Sequence, residues 1–355
     1  MQITTNTTPL LAAIAVATDK LGHDHCVVVA RGSYAVNSSG ATVSTDPPAP
    51  FVYADIHTGA PGTSSTAWES DFCRYKPLTD VIVLGRAVAP GGSPVCELPV
   101  RLEVDGRAKD ALVSGERRWA SSGRFARASS PAPFFEMPLT WERSFGGADS
   151  RGQLDPRNLV GVGHADVLPN IEAVHERIRS RSDRPRPHGF AWVGRSWQPR
   201  IAWAGTYDQR WREQVCPLLP EDFDERYFQA APVDQQFPHF RGGERIRCVH
   251  MSEAPVIEFV VPTDELWIHF AFVDGLRSSC AVLDTVVVEP HLHRMHLTWR
   301  TSIRLPKQLT RLRGVHVGER PVRDGPVGYR RGKPLFESLG SYVRWRAQAR
   351  EEARR

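Results

Sequence analysis

The 355-residue chain has no run approaching the roughly 20 apolar residues of a membrane-spanning helix, which argues against a helical anchor. The short apolar stretch Pro9–Ala17 has no basic segment before it and no clean cleavage site after it, so it reads as a first strand and not as a secretion signal. Cysteine is sparse. The six residues Cys26, Cys73, Cys96, Cys216, Cys248 and Cys280 show no CxxC spacing and read as reduced, mostly buried thiols of a cytoplasmic protein. The motifs GxxxxGK[ST] and GxGxxG are missing, so the glycines from Gly146 to Gly163 bend the backbone without a phosphate-loop signature. GxSxG, HExxH and a Cys–His signature are missing too. No closed ligand set argues for a metal, and no cofactor is expected.

What is present is ordinary for a globular protein: 41% hydrophobic and 24% charged residues. The net charge of +5 makes a weak case for nucleic acid and a better one for an acidic protein partner. With 28 Gly and 28 Pro, short strands and turns are favoured over long helices. Strands are predicted at His25–Ala30, Ser33–Val36, Ala49–Tyr53, Val81–Val88 and Val95–Val104. Val100–Asp105 alternates strictly, and Asp105-Gly106 can close a hairpin to Arg107–Val113. Further strands are predicted at Arg245–His250, Val256–Val261, Leu266–Val273, Ala281–Val288 and Arg294–Trp299. Val286-Val287-Val288 has the apolar run of a strand buried on both faces.

The densest stretch is Trp197–Glu244, with three of the ten Trp residues, two Tyr and four Phe. Large aromatics at this density need burial, so Trp203, Tyr207 and Trp211 are predicted to anchor the stretch to a β core. Gly205-Thr206 reads as a turn. Tyr207, Trp211 and Val215 fall on one face of a helix that Pro217 and Pro220 stop. A second short turn of helix is predicted over Asp222–Phe228. The fold class that follows is mainly β: two packed antiparallel β portions, residues 1–120 and 245–305, joined by an aromatic, Pro/Gly-rich middle, 121–244, with short helices. Together these make a β-rich unit, 1–310, followed by a basic, partly ordered tail, 311–355, that ends in a helix.

The run GTYDQRW…PLLPEDFDERYFQAAPVDQQ…RGGE resembles the hallmark of a bacterial family of type VI secretion accessory proteins, long catalogued only as a domain of unknown function. Other blocks match in order: Lys76–Asp80, Gly115–Trp119, Pro138–Gly147 (PLTWERSFGG), Asn158–Gly163, Leu168–Glu172 and Leu283–Thr285. The resemblance runs from about residue 20 to 305. Its structural signature falls on Trp141, Glu142, Arg143, Gly146, Gly147, Trp203, Gly205, Thr206, Tyr207, Asp208, Trp211, Pro217, Pro220, Asp222, Phe223, Asp234, Gln235, Gly242, Glu244, Asp284 and Thr285. What the resemblance implies is a cytoplasmic, non-enzymatic adaptor or chaperone. Its partners would be a secreted toxic effector and the spike protein (VgrG) or a PAAR-like tip protein, with no membrane and no direct nucleic acid.

Candidate chemistry is thin. His291 and His293 would share one strand face, with His296 opposite. Asp284 reads as a turn cap or an arginine partner. Glu116, Arg117, Glu142 and Arg143 are predicted to form ion pairs, since unpaired buried charge is costly. Asp208, Asp222, Asp224 and Asp234 make a carboxylate-rich neighbourhood that a hydrolase or carbohydrate-binding module could use. Two surfaces suit a partner. One is the run Arg177–Arg186, with Arg177, Arg179 and Arg181, read as a helix continuing from Ile171 into a loop. The other is the terminal helix, with Tyr342, Trp345 and Arg346.

Overall fold

The computed structural model describes residues 2–37, 40–120, 127–263, 265–306, 311–318, 328–330, 333–336 and 339–352. The chain is mainly β. Three sheets share one apolar core, in which Val81, Val100, Leu102, Ile246, Phe259, Ile268, Phe270, Val286 and Val315 lie together.

The central sheet runs in the order Gln236–Phe237, Thr79–Val83, Val282–Glu289, Arg294–Arg304, Asp24–Val36 and Leu11–Thr18, with Thr42–Ser44 paired beside Asp24–Val36. A five-stranded sheet is built from Ile171–Ala173, Arg107–Ser114, Glu97–Val104, Arg245–Val249 and Val256–Val260. A four-stranded sheet is built from Ile3–Asn6, Leu312–Gly318, Trp267–Phe272 and Gly275–Cys280.

Strands from the two ends of the sequence therefore interleave within single sheets; they do not form two portions packed face to face. Asp24–Val36 pairs Arg294–Arg304, and Glu97–Val104 pairs Arg245–Val249. Nor are all pairings antiparallel. Thr79–Val83 runs parallel to Val282–Glu289, and Ile3–Asn6 parallel to Leu312–Gly318.

Local chemistry accounts for the clearest elements. In Glu97–Val104 every second residue is buried, the pattern of a half-covered strand. It turns into Arg107–Ser114 through Asp105 and Gly106, both at positive φ, as a two-residue hairpin requires. Val282–Glu289 is buried on both faces. One face joins the main core. The other, through Val287 beside Ile82, is covered by Trp192, Ala230 and Ala231 from the middle of the chain.

Several expectations are corrected. Residues 49–53 form no strand. Asp24–Val36 is one continuous strand through Arg31 and Gly32. Leu312–Gly318, placed by its sequence in the tail, is a strand whose Leu312, Val315 and Val317 enter the core. The sequence Arg177–Arg186 follows a short strand, Ile171–Ala173, and forms turns, not helix. Among the cysteines only Cys26 and Cys248 are buried; Cys96, Cys216 and Cys280 are exposed, and all six are free thiols.

The second face of the central sheet and its cleft

Strand parity decides what the second face of the central sheet carries. Residues paired with Ile82 and Val287, and those two apart from them, point the same way. That places Asp80, Thr285, Arg31, Ser33, His296, Thr298 and Arg300 on the face turned from the main core. All seven are buried. The segments laid over them include residues 50–76, the strip with Trp192 and the signature middle, and beside the apolar contacts of Trp192, Ala230 and Ala231 they hold by ion pairs and hydrogen bonds.

Two signature blocks far apart in sequence meet here. The Lys76 ammonium donates to Asp80 Oδ2 at 2.8 Å and Thr285 Oγ1 at 3.0 Å. Thr285 Oγ1 donates in turn to Asp284 Oδ1 at 2.8 Å. Arg300 Nε donates to Asp284 Oδ2 at 2.6 Å, and its Nη1 caps the carbonyls of Asp71 and Cys73. Asp80 also accepts from Gln229 Nε2 at 2.7 Å and from the Ala230 N–H at 2.8 Å, which fastens the middle stretch to the sheet. Arg31 pairs with Asp71. Burial alone would lower the pKa of Arg300; Asp284 beside it more than compensates and holds it above the usual arginine range. Lys76 is likewise raised by Asp80 and Asp284 against its burial. Of the two roles its sequence allows, turn cap or arginine partner, Asp284 takes the second.

A second knot fixes the cover laterally. Arg200, 1% exposed, grips Glu69 through two N–H groups at 2.7 Å each and donates to the Val193 carbonyl at 2.6 Å. Arg195 bridges Glu69 and Asp55. Burial raises the Asp55 carboxyl, but Arg195 and the Ser70 N–H bring it below its ordinary value.

The PLTWERSFGG block is spent in the same way. Trp141 packs edge-on to Trp197 at 5.7 Å. Among the described residues Glu142 takes no cation; it accepts from the Ser65 N–H at 2.8 Å, the Ser65 hydroxyl at 2.7 Å and Thr58 Oγ1 at 3.1 Å, pinning the loop before Thr66. Burial raises the Glu142 carboxyl, and hydrogen bonds from Ser65, its own backbone N–H and Thr140 together bring it below its ordinary value. Arg143 pairs with Glu116 at 3.0 Å, and Arg117 with buried Glu172 at 2.6 Å. Gly147 sits at positive φ with the Gly161 carbonyl where a Cβ would stand, so no other residue fits without displacing that backbone. Gly242 is held the same way against Pro262, and Glu244 closes its own turn by accepting the Arg241 and Gly242 N–H groups at 2.7 and 2.9 Å.

The aromatic anchors differ from expectation. Trp203 and Trp211 are only half-buried and Tyr207 is 50% exposed. Gln209–Gln214 is a short helix on the surface, capped by Asp208, and Tyr207 and Trp211 pack on each other at 4.7 Å instead of on the β core. The cis Cys216-Pro217 bond and Pro220 follow it. Asp222 holds the turn at Gly205 by accepting from the Thr206 N–H and hydroxyl at 2.9 and 2.7 Å. The buried anchors are Trp141, Trp192, Trp197, Phe190 and Phe223. The four carboxylates do not converge. Asp208 and Asp222 line one small cleft, Asp224 another and Asp234 a third.

The histidines also differ. His291 lies in a 3-10 turn, Pro290–Leu292, and His293 sits at positive φ, so they share no strand face. His296 joins a chain that sequence reasoning missed. Its Nε2 is 2.9 Å from Glu289 Oε2 and its Nδ1 is 2.8 Å from Ser33 Oγ. Ser, His and acid in this order have the elements of a hydrolase triad. Here Ser33 is 3% exposed and its Oγ also accepts the Ala49 N–H at 2.9 Å, so the hydroxyl is an internal connector.

The largest of the clefts, about 830 Å³, opens where the cover meets the five-stranded sheet. Arg107 and Lys109 come from the sheet, Trp141 from the PLTWERSFGG block and Arg157 from the segment after it, Arg186 from the arginine run with Glu176 and His188 flanking it, and Pro199, Val233 and Asp234 from the middle stretch. Lys109 is buried and saturated: it donates to the Gly189 carbonyl at 2.6 Å and to Asp234 and Gln235 at 2.8 Å each. Gln235 Nε2 then donates to the Val81 and Phe190 carbonyls. Burial holds the Lys109 ammonium below its usual pKa, and with Lys109 beside it His188 is pushed down to about 4. No local sequence signal marks Arg107, Lys109 or His188; folding alone gathers them.

The two expected partner surfaces are partly self-engaged. Arg177 pairs with Glu97 at 2.5 Å, and Arg181 with Asp166 at 2.7 Å. Arg179 is exposed, its backbone N–H held by Asp183. The terminal helix is Leu339–Glu352; Tyr342 and Trp345 pack on Phe336 at 5.2 Å each, and Arg346 donates to Tyr342 Oη at 2.7 Å.

Residues 21–300 match the model of the family described as "Uncharacterized protein conserved in bacteria (DUF2169)", and the chain belongs to that family. No curated protein and no solved structure matches it. The matched span is close to that over which the sequence blocks run in order.

Proposed function

We propose that the protein, starting from its membership of that family, is a non-enzymatic cytoplasmic adaptor of a bacterial type VI secretion system. It would bind a toxic effector and help load it onto the spike protein (VgrG) or a PAAR-like tip protein. The observation that carries this reading is where the signature residues are spent. Asp80, Gln229, Gln235 and Thr285 fasten the cover to the central sheet, and the cover's rim makes the large cleft. Such an arrangement holds a surface in shape, which suits recognition. The enclosed Ser33–His296–Glu289 chain and the dispersed carboxylates offer less to a hydrolase reading.

The test is affinity capture of the tagged full-length chain from its native cell. A spike or tip protein together with a toxin is the expected recovery. If neither is enriched over an unrelated tagged control, the adaptor reading fails.

A further inference from the structure

We infer that the cleft walled by Arg107, Trp141, Arg186, Val193, Pro199 and Val233 is a docking groove for an acidic peptide segment of a partner polypeptide. The partner's identity as cargo rests on the adaptor reading; the chemistry of the groove does not.

Size and walls come first. At about 830 Å³ the cleft can enclose several side chains, and its walls are tryptophan, valine and three prolines, Pro187, Pro199 and Pro232. Val233 stands at its mouth 61% exposed, on a 3-10 turn that Gln235 locks to the Val81 and Phe190 carbonyls. An apolar side chain held exposed on a rigid turn is ready to be covered without an ordering cost.

Charge decides what covers it. The lining carries four cations, Arg107, Lys109, Arg157 and Arg186, against two carboxylates, Glu176 and Asp234. Two of the cations are already spent: Lys109 on Asp234, and Arg157 on Asp155 through two N–H groups at 2.9 and 2.6 Å. Arg107 and Arg186 form no ion pair among the described residues. The Arg107 guanidinium lies 4.5 Å over the Phe237 ring. Stacking fixes the plane of that group and leaves its N–H edges free, the geometry that receives a carboxylate fork. Two open arginines beside covered apolar walls are a common make-up of a polypeptide interface. A phosphate backbone tracking the groove would instead meet Glu176 and Asp234 on the same rim, whereas a peptide can place its carboxylates at two points.

The experiment titrates the full-length protein against three fluorescein-labelled probes by anisotropy, at low and at physiological salt. The probes are a short peptide of glutamate, proline and leucine, the same peptide with lysine for glutamate, and a single-stranded oligonucleotide. The acidic peptide should bind, more weakly at higher salt, and the lysine peptide should not. Arg107→Glu with Arg186→Glu should weaken the acidic peptide at least about tenfold. Arg107→Gln with Arg186→Gln should fall between, and Arg210→Glu, on the exposed helix, should change nothing. Both replaced arginines are exposed, so each variant should keep the native Tm. No binding of the acidic peptide, equal binding by the reversed variant, or tighter arginine-dependent binding of the oligonucleotide would each overturn the inference. Affinity capture separates the two proposals: unchanged cargo recovery by the reversed variant removes the groove and leaves the adaptor.

Discussion

Asp284 is fully buried, and Arg300 and Thr285 use both of its oxygens. Asp284→Asn keeps the volume but leaves Arg300 as an uncompensated charge, which should cost about 3–5 kcal/mol in urea unfolding. Adding Arg300→Met should recover part of that loss, because removing both charges leaves none stranded. His188 makes a different prediction. Its pKa is pushed down to about 4 by burial and by Lys109, against about 6.5 in an unfolded chain. Between those values the unfolded state binds a proton that the folded state does not, so stability rises with pH. The contribution is complete above about pH 6.5 and is lost as pH falls toward 4. His188→Gln, which can still donate to the Asp110 carbonyl, should flatten the Tm profile between pH 4 and 6.5. Below that window Asp55 and Glu142, both depressed, take over. Their stabilisation is present above the unfolded carboxyl pKa and is lost as pH falls through the folded one.

At the scale of elements, the signature stretch holds two kinds of tryptophan. Trp197 is 4% exposed and meets Trp141 edge-on, so Trp197→Ala should cost about 3–5 kcal/mol. Trp211 is half-buried on the surface helix and gives its Nε1 proton to the Leu218 carbonyl at 2.9 Å. Trp211→Ala should cost less than about 2 kcal/mol, since only part of the side chain leaves an apolar setting. Equal melting-temperature losses for the two would contradict this division. The contrast marks what the sequence reveals. Aromatic density signals packing, but it does not say whether a ring packs on the core or on its neighbour. Strict alternation in Glu97–Val104 and the Asp105-Gly106 turn were legible because their causes are local. Gly275–Cys280 was not, because an edge strand exposed along most of its length carries no apolar period. The Lys76–Thr285 contact joins positions 209 apart, and the open guanidinium of Arg107 depends on a ring far along the chain, so the site had no local signal.

At the scale of the whole molecule, the two ends of the chain close the same sheets, and this gives truncations opposite outcomes. Leu312–Gly318 lies between Ile3–Asn6 and Trp267–Phe272, and Leu312, Val315 and Val317 enter the shared core. Ending the chain after residue 306 therefore strips a central strand. It uncovers Ile268 and Phe270, orphans the backbone groups of Ile3–Asn6, and leaves an unpaired apolar edge. Such a chain should lose its cooperative melting transition and aggregate. The terminal helix Leu339–Glu352 differs, because its described aromatic contacts are local: Phe336 meets Tyr342 and Trp345, and Arg346 meets Tyr342. A 14-residue helix is marginal in water by itself, so its loss removes little from the folded balance. Ending the chain after residue 336 should leave Tm within roughly 2 °C of the native value, a shift of about 1.5 kcal/mol or less at this size. A drop of 10 °C or more would show that the helix belongs to the core. With Tm unchanged, any loss of spike or effector recovery by this shorter chain reports docking by Tyr342, Trp345 and Arg346, because misfolding has already been excluded.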